Sequence, residues 1–405
     1  MQQQVDRRAA YALAVLTFIN LFNYVDRWVL AAVVEPVKHD LGLTDTQLGL
    51  VATGFIIVYT FASPIFGSLG DRAKRPPLIA IGVGIWSIAT ALGGFARGFW
   101  TLFFTRSTVG VGEAAYGTIA PALLSDQYPI EKRGRVLAFF FSAIPIGSAL
   151  GYVLGGLADR FFGWRSAFWI AGLPGIALAF LVLRVFDPPR GQHDAAYAPR
   201  VAGTKWYEAY FELLRNKPFM LTVVGYGAYT FALGGLGFWM PAFLERARGM
   251  PRSEATVTFG LIVVVTGFVG TFLGGFLGDA LLKRTKQSYL WVSGIATLLA
   301  APITYVGLSN PNKMIYLPAI ILGEVLIFMC TGPVNSAIVN AVSPLERATA
   351  LGLSVFAMHL LGDIPSPPLI GRLSDASSLE QAFLIIPVAI LISGAIWIYA
   401  AWRAE

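Results

Sequence analysis

Four ionisable residues interrupt otherwise apolar stretches in the first third of the chain. Asp26 and Arg27 lie in one stretch, and Arg106 and Glu113 lie in another. A charge near the centre of a bilayer costs about 2.5–3.5 kcal/mol, so four unpaired charges would cost on the order of 10 kcal/mol. Because both signs are present in equal number, we expect them to pair or to share protons. Such a cluster is typical of a site for an ion, a proton or a charged substrate.

The spacing of these residues limits which of them can meet. Arg106 and Glu113 are seven residues apart, which places them on one face of a helix but about 10 Å apart along its axis. Each therefore needs a partner from another helix. If the first span runs outward and the fourth runs inward, Asp26 and Arg106 lie at similar depths. We expect those two to be in contact, and Glu113 either to be met by Arg27 or to stay protonated.

The four charged residues could have either of two chemical roles or a purely structural one, and the sequence leaves all three open. Arginine keeps its charge, so the approach of Arg27 or Arg106 would make a buried acid release its proton, and its retreat would let the acid reload. The same guanidinium groups suit an anionic head group through forked hydrogen bonds. The structural alternative is a static ion-pair network that only holds the helices together.

The composition indicates a polytopic membrane protein. Of 405 residues, 56% are hydrophobic and only 13% are charged, and the mean hydropathy is +0.65. A soluble domain carries nearer a quarter charged residues. The single cysteine, Cys330, excludes an internal disulfide and forms no metal-ligand cluster. We predict no cofactor and no metal.

Twelve apolar segments are each long enough to cross the hydrocarbon core of about 30 Å. They are predicted at 9–36, 45–70, 76–96, 98–126, 132–160, 164–186, 218–246, 253–280, 287–308, 313–342, 345–373 and 378–402. The fold class is therefore all-α. Nineteen of the thirty lysines and arginines fall on one side of this topology, which places both termini in the cytoplasm. The net charge of +7 thus reports orientation rather than binding to nucleic acid.

A polar linker divides the spans into six and six. The predicted domains are an N-terminal bundle at 1–186, a cytoplasmic linker at 187–217 and a C-terminal bundle at 218–405. Residues 205–214 could form a short amphipathic helix on the membrane surface. The alternative is a solvated linker.

Short matches in the same order indicate that the two halves are diverged repeats. The segment Gly67-Ser-Leu-Gly-Asp71 ends the second span, and Gly275-Phe-Leu-Gly-Asp279 ends the eighth. Glu113 of the fourth span corresponds to Glu324 of the tenth. Asp159 corresponds less convincingly to Asp375.

Two of these motifs resemble signatures of the major facilitator superfamily. The segment Gly67-Ser-Leu-Gly-Asp71-Arg72-Ala-Lys74-Arg75 is similar to its loop signature between spans two and three, although Lys74 stands where the family usually has glycine. Arg106-x-x-x-Gly110-x-Gly112-x-Ala114 resembles its span-four signature, which is associated with proton coupling. The resemblance implies two six-helix bundles with a central cavity, which work by alternating access.

A narrower resemblance is to the spinster-type lysolipid transporters. It rests on Asn23-Tyr24-Val-Asp26-Arg27, on Gly110-Val-Gly112-Glu113-Ala114, and on the run from His359 to Gly371, which contains His-x-x-Gly-Asp-x-x-Ser-Pro. It implies a proton-coupled transporter of a lysophospholipid or sphingoid phosphate. The first motif is shared with organic-anion transporters, so a proton-coupled transporter of small organic anions is the alternative.

The candidate site residues follow from these patterns. Proton coupling is assigned to Asp26, Glu113, Arg27 and Arg106. Substrate binding is assigned to Arg27, Arg106, Tyr24, Tyr116, Glu324, His359 and Asp363. Gating is assigned to Gly67, Asp71, Arg72, Asp279, Ser366 and Pro367. The run of prolines from Pro365 frees backbone carbonyls, so the eleventh span should be kinked or broken near Ser366.

Other classes of function fit less well. No metal spacing, nucleophile elbow or phosphate loop appears, which argues against an enzyme or an ATP-driven pump. A receptor that transports nothing is disfavoured by the charged core and the loop motif. The expected partners are protons, membrane lipids and a small-molecule or lysolipid substrate, without nucleic acid. The expected form is a monomer in a bacterial inner membrane.

Overall fold

The computed structural model describes residues 2–129, 136–137, 139–189, 206–342 and 347–404. Within these ranges, the side chains of residues 2–6, 68, 71, 206–210, 339 and 347–349 lie outside the described part. Residues 190–205, the greater part of the predicted linker, also lie outside it. All regular secondary structure in the described ranges is helical, as the hydropathy pattern predicts.

The helices follow the predicted spans closely. In chain order they are α1 (Gln2–Ala32), α2 (Val34–Leu41), α3 (Asp45–Arg72), α4 (Arg75–Gly93), α5 (Phe99–Gln127), α6 (Ala143–Phe162), α7 (Trp164–Val182), α8 (Trp206–Arg215), α9 (Lys217–Arg246), α10 (Arg252–Leu281), α11 (Ser288–Ser309), α12 (Lys313–Phe328), α13 (Thr331–Asn340), α14 (Arg347–Met358), a π-helix (His359–Asp363), α15 (Ser366–Ala376), α16 (Leu379–Ala382) and α17 (Ile385–Ala404). The short helix expected at 205–214 is α8.

Ten helical stretches among the described residues are long and apolar enough to cross a membrane. The other two predicted spans are 98–126 and 345–373, and they are largely helical in their described residues. The first is α5, a continuous helix of 29 residues that carries Arg106 and Glu113. The second is broken into α14, the five-residue π-helix and α15. The break immediately before Ser366 confirms the effect expected of the proline run.

The chain divides into two compact units. Unit 1 comprises residues 1–43, 50–200 and 251–260, and unit 2 comprises residues 44–49, 201–250 and 261–405. In unit 1, α4 packs against α5 and α7, and α1 packs against α6 and α7. In unit 2, α11 packs against α12 and α17, and α9 packs against α17 and the π-helix. The two units thus repeat one packing order, in keeping with the internal repeat.

Glycines set the closest helix contacts in unit 1. A Cβ on Gly112 of α5 would lie 2.3 Å from the carbonyl oxygen of Gly82 on α4, and one on Gly110 would lie 2.6 Å from the Phe55 carbonyl on α3. On α6, a Cβ on Gly151 would lie 2.7 Å from the Val25 carbonyl of α1. These contacts hold α3 and α4 against α5, and α1 against α6.

Candidate functional site

The first ion pair of unit 1 joins α1 to α5. Arg106 Nη1 donates to Asp26 Oδ1 at 2.6 Å, and Arg106 Nη2 donates to the Asp26 carbonyl oxygen at 3.2 Å. The hydroxyl of Thr90 on α4 donates to the other carboxylate oxygen. The side chains of Asp26 and Arg106 are 0% and 3% exposed. The contact expected from the depth argument is therefore present, and both side chains are buried.

The second ion pair lies one residue further along α1. Arg27 Nε donates to Glu113 Oε2 at 2.7 Å. Glu113 is fully buried, whereas the Arg27 side chain is 21% exposed. The Arg27 guanidinium carbon lies 4.9, 5.4 and 4.8 Å from the ring centroids of Tyr24, Phe55 and Tyr59. Arg27 thus sits in a cage of three aromatic rings, which can hold a cation when its carboxylate partner leaves.

The two ion pairs share one aromatic neighbour. Phe55 of α3 faces Arg27, and its centroid also lies 5.8 Å from the Arg106 guanidinium carbon. The close approach of Gly110 to the backbone at Phe55 brings this ring to the charged face of α5. Glu113 follows Gly112, the glycine that presses α5 onto α4. Small residues at these positions let the helix backbones approach closely enough for the four charged side chains to meet.

Several buried polar atoms around these pairs have no hydrogen-bond partner within the part of the chain that the structure describes. They include Arg106 Nε, Glu113 Oε1 and Asn23 Nδ2. Buried polar atoms in proteins are normally satisfied. These two donors and one acceptor lie beside the two ion pairs.

Tyr24 and Tyr116, both predicted to bind substrate, have different surroundings. Tyr24 is half-buried and forms one wall of the Arg27 cage. Tyr116 is 1% exposed, and its hydroxyl donates to the Leu16 carbonyl at 2.5 Å. Its ring packs edge-on against Trp86. Tyr116 therefore belongs to the core behind the charged face, and its assigned role stays a prediction.

In unit 2, the structure separates the three predicted substrate residues into two places. Glu324 on α12 is 4% exposed and meets the Thr266 hydroxyl of α10 at 3.1 Å. His359 Nδ1 and Asp363 Oδ2 meet at 2.9 Å inside the π-helix, with 14% and 21% of their side chains exposed. The wide turn of a π-helix is a frequent feature of functional sites.

The predicted gating residues lie in three settings. Ser366 donates to the Phe231 carbonyl at 2.6 Å, and the Pro367 carbonyl accepts from Trp239 Nε1 at 3.0 Å, so both tie α15 to α9. Asp279 accepts from the Tyr289 hydroxyl at 2.9 Å. The remaining three end α3: Gly67 has open space at its Cβ position, Arg72 is exposed, and the side chain of Asp71 lies outside the described part.

Arg75 is a buried cation that the sequence analysis placed only in a charged loop. It is 2% exposed, and it begins α4. Its Nε donates to Asp187 at 2.7 Å, another guanidinium nitrogen pairs with Asp126, and a third donates to the Pro188 carbonyl at 2.8 Å. This cluster ties the ends of α5 and α7 to the start of α4. The positions of Asp126 and Asp187 at the ends of predicted spans were the sequence signal that could have indicated this cluster.

Asp159 and Asp375, the weakest repeat match, have similar surroundings in their two units. Asp375 accepts from the backbone N–H groups of Asp45 and Thr46, the first residues of α3, at 2.9 and 2.8 Å. Asp159 accepts from Arg252, the first residue of α10, at 3.1 Å. Each aspartate thus anchors the start of a helix, where the dipole favours an anion. Their positions support the internal repeat.

Comparison with known proteins agrees with the resemblance seen in the motifs. The family model for the Major Facilitator Superfamily matches residues 16–365. The chain is 36% identical to protein spinster homolog 3 of Danio rerio, over 92% of this chain and 78% of that protein. It is 36% identical to human protein spinster homolog 1, over 91% and 73%. Protein spinster of Drosophila melanogaster is 35% identical over 92% of this chain, which spans 63% of the fly protein.

Solved structures show the same fold. A crystal structure of a bacterial homolog to the human lysosomal transporter Spinster matches with a TM-score of 0.89 and 24% identity, over 98% of this chain and 97% of that one. The D-xylose-proton symporter matches with a TM-score of 0.73 and 16% identity, over 97% and 96%. At these identities the likeness concerns the fold alone.

Proposed function

Since this chain belongs to the major facilitator superfamily, and within it to the spinster-type membrane transporters, we propose that it couples proton movement to transport of an amphiphilic anionic lipid by alternating access. Its membership makes it a multi-pass membrane transporter of a small-molecule substrate and not an enzyme. The substrate class and the coupling to protons are the proposal. The observation that carries it is the pair of adjacent buried ion pairs, Asp26–Arg106 and Arg27–Glu113.

The two pairs are suited to different tasks. Arg106 is almost fully buried, and Asp26 is its only charged partner within the described residues. Separating that pair would leave a buried charge, so we assign it to holding α1 on α5. Arg27 keeps three aromatic rings and some solvent contact when Glu113 is removed. We therefore propose that Glu113 is the acid that takes up and releases the proton, and that Arg27 is the cation that moves away from it.

The same geometry supports an anionic substrate. A phosphate or carboxylate could replace Glu113 beside Arg27, because a guanidinium binds either group through forked hydrogen bonds. The aromatic walls formed by Tyr24, Phe55 and Tyr59 suit the apolar part of an amphiphile next to that head group. The substrate anion and the Glu113 carboxylate would then compete for Arg27, and displacement of Glu113 would let it take up a proton, which couples the two movements. A small organic anion is the second candidate, favoured by the Asn23-to-Arg27 motif.

We also propose domain boundaries at 1–186 and 218–405 with a linker at 187–217, cytoplasmic termini, a monomeric state, and a bacterial inner membrane as the location. The excess of lysine and arginine on one side of the predicted topology supports the orientation. Glu324, His359 and Asp363 remain proposed substrate contacts of unit 2.

The test is transport by purified protein in liposomes with an imposed pH gradient. One panel compares a lysophospholipid, a sphingoid phosphate and a short carboxylate as substrates. The wild-type protein should accumulate one of the lipids in response to the gradient, and Glu113→Gln should abolish the response. Glu212→Gln is the matched control, because it makes the same change at an exposed glutamate of the surface helix α8. Gradient-driven uptake by Glu113→Gln equal to that of the wild type would refute the proton assignment. If only the short carboxylate is taken up, a small organic anion replaces the lipid as the proposed substrate.

A further inference from the structure

Unit 2 contains a buried acid without a basic partner. Glu324 is 4% exposed and lies in the second half of α12, between apolar neighbours. In the described part of the chain, no lysine, arginine or histidine lies within ion-pair distance of its carboxyl group. Its one hydrogen-bond contact joins Oε2 to Thr266 Oγ1 at 3.1 Å. It differs in this respect from Glu113, its repeat counterpart, which is paired with Arg27.

The helices around Glu324 carry their charges far away. Helices α11 and α13 have no aspartate, glutamate, lysine or arginine. On α10 and α12, every other charge is at least 11 residues from Thr266 or Glu324, which is about 16 Å or more along the axis. Helix α9 reaches this region through the Tyr229 hydroxyl, which bonds to the Ile327 carbonyl, and its charges lie at its ends. Apart from Glu324, the charged residues of α9, α10 and α12 are Lys217, Glu245, Arg246, Arg252, Glu254, Asp279 and Lys313. The other titratable groups nearby are tyrosines and Cys330, which are normally uncharged at neutral pH.

The position of the acid is set by backbone packing. A Cβ on Gly270 of α10 would lie 2.5 Å from the Val325 carbonyl of α12, and one on Gly274 would lie 1.9 Å from the Met329 carbonyl. Any side chain at either glycine would push α10 and α12 apart. The two glycines thus hold Thr266 opposite Glu324.

The hydroxyl of Thr266 has one hydrogen but two oxygen atoms within hydrogen-bond distance. Its oxygen lies 2.7 Å from the Ile262 carbonyl oxygen of its own helix and 3.1 Å from Glu324 Oε2. A hydroxyl has one hydrogen, and a carbonyl oxygen can only accept. When that hydrogen goes to Ile262, the contact with Glu324 is a hydrogen bond only if the carboxyl group donates.

We propose that Glu324 is a second proton-binding group, held as a neutral acid that donates its own hydrogen to Thr266. Two arguments point the same way: an unpaired carboxylate is strongly disfavoured in a buried apolar setting, and the hydroxyl that contacts Glu324 has a closer acceptor in the Ile262 carbonyl. The two proton sites differ in chemistry. Glu113 exchanges its proton against Arg27, whereas Glu324 retains its proton until water or a cation reaches it. The inference extends the proposed proton coupling to unit 2, but the protonation state of Glu324 can be measured without any transport.

The test is infrared difference spectroscopy of the full-length protein in lipid nanodiscs at neutral pH, with Glu113→Gln as the background so that the repeat counterpart of Glu324 does not contribute to the spectrum. A neutral carboxylic acid has a C=O stretching band that a carboxylate lacks. Glu324→Gln should remove one such band. Thr266→Val deletes the acceptor and should shift the same band to higher frequency, while Thr266→Ser, the matched control, should leave it in place.

Each result is decisive. Loss of the neutral-acid band in Glu324→Gln supports the proposal, and loss of carboxylate bands instead overturns it. If Glu324→Gln fails to fold, the two threonine variants still decide: a shift in Thr266→Val without a shift in Thr266→Ser supports the proposal, and no shift in either overturns it. If the protein with Glu113 intact transports no lipid while the Glu324 band is present, the proposed substrate is refuted and this inference stands.

Discussion

Replacing Asp26 by asparagine should destabilise the protein more than replacing Glu113 by glutamine. Both substitutions remove one carboxylate from a buried ion pair and keep the size of the side chain. They differ in what remains around the arginine. Arg106, 2% exposed, keeps one aromatic ring at 5.8 Å and a carbonyl contact at 3.2 Å. Arg27 keeps three rings and a side chain that is 21% exposed.

The size of the difference follows from these contacts. Removing one partner of a fully buried ion pair costs about 3–5 kcal/mol, because the other charge is left uncompensated. A ring facing a guanidinium contributes about 0.5–1 kcal/mol. Three rings therefore offset about 1.5–3 kcal/mol of the cost at Arg27. We expect Asp26→Asn to cost about 3 kcal/mol and Glu113→Gln about 1 kcal/mol, on the scale set by these two effects. The difference of about 2 kcal/mol is roughly a 30-fold change in the folding equilibrium.

The assay is reversible unfolding in mixed lipid–detergent micelles, with the exposed-site variant Glu212→Gln as control. A double variant, Asp26→Asn with Arg106→Gln, tests the stated cause. Removing both charges of a buried pair is often close to neutral, so the double variant should be more stable than Asp26→Asn alone.

Two outcomes would refute this reasoning. If Glu113→Gln costs as much as Asp26→Asn, the aromatic cage does not hold Arg27, and the assignment of Glu113 as the exchanging acid loses its basis. If the double variant is no more stable than Asp26→Asn, the loss is not due to a stranded charge on Arg106.

Three further measurements test other parts of the structure by thermal unfolding. Gly112→Ala should lower the Tm, because its Cβ would meet a carbonyl oxygen at 2.3 Å and overpacking costs about 1–3 kcal/mol. Gly84→Ala on the neighbouring helix, where space is open, should be neutral or stabilising. Equal losses of Tm in the two variants would contradict the packing argument. Asp375→Ala should cost about 0.5–2 kcal/mol by removing a helix cap, and an unchanged Tm would mean that the start of α3 does not need it. The hydrogen bond from Arg165 holds the pKa of Asp40, outside the candidate spans, below its usual value. That exposed pair stabilises the fold by about 0.2–1 kcal/mol at neutral pH and loses this effect as the pH falls through the lowered pKa. The Tm difference between Asp40→Asn and the wild type should therefore vanish in acid, and a difference that persists there would exclude an ionic origin.

Two of the predicted gating residues connect the broken eleventh span to a neighbouring helix. Ser366 and Pro367 tie the break in the eleventh span to α9 through carbonyl contacts. The break itself has a local cause, since proline supplies no N–H group and disfavours a helical conformation in the residue before it. The gating roles themselves remain predictions, because transport has to be measured to test them.

The amino-acid sequence by itself determined the spans, the break before Ser366 and the meeting of Asp26 with Arg106, and it left Glu113 either paired with Arg27 or protonated. These features follow from local signals. Apolar length requires a span, proline interrupts a helix, and a charge inside an apolar helix needs a partner wherever the helix is placed. The family resemblance carried by the motifs was confirmed by the comparisons for the same reason, since it depends on residue order alone.

Only the tertiary structure decided which neutral side chains complete the site. No sequence signal identifies Thr90 as the partner of Asp26, Phe55 as the ring between the two arginines, or Thr266 as the partner of Glu324. A threonine or phenylalanine costs little free energy at many positions of a membrane helix. Their roles depend on which faces of separate helices meet, and the glycine contacts set those faces. Tyr116 illustrates the same limit: the sequence places it near Glu113, but packing directs its hydroxyl to a backbone carbonyl in the core.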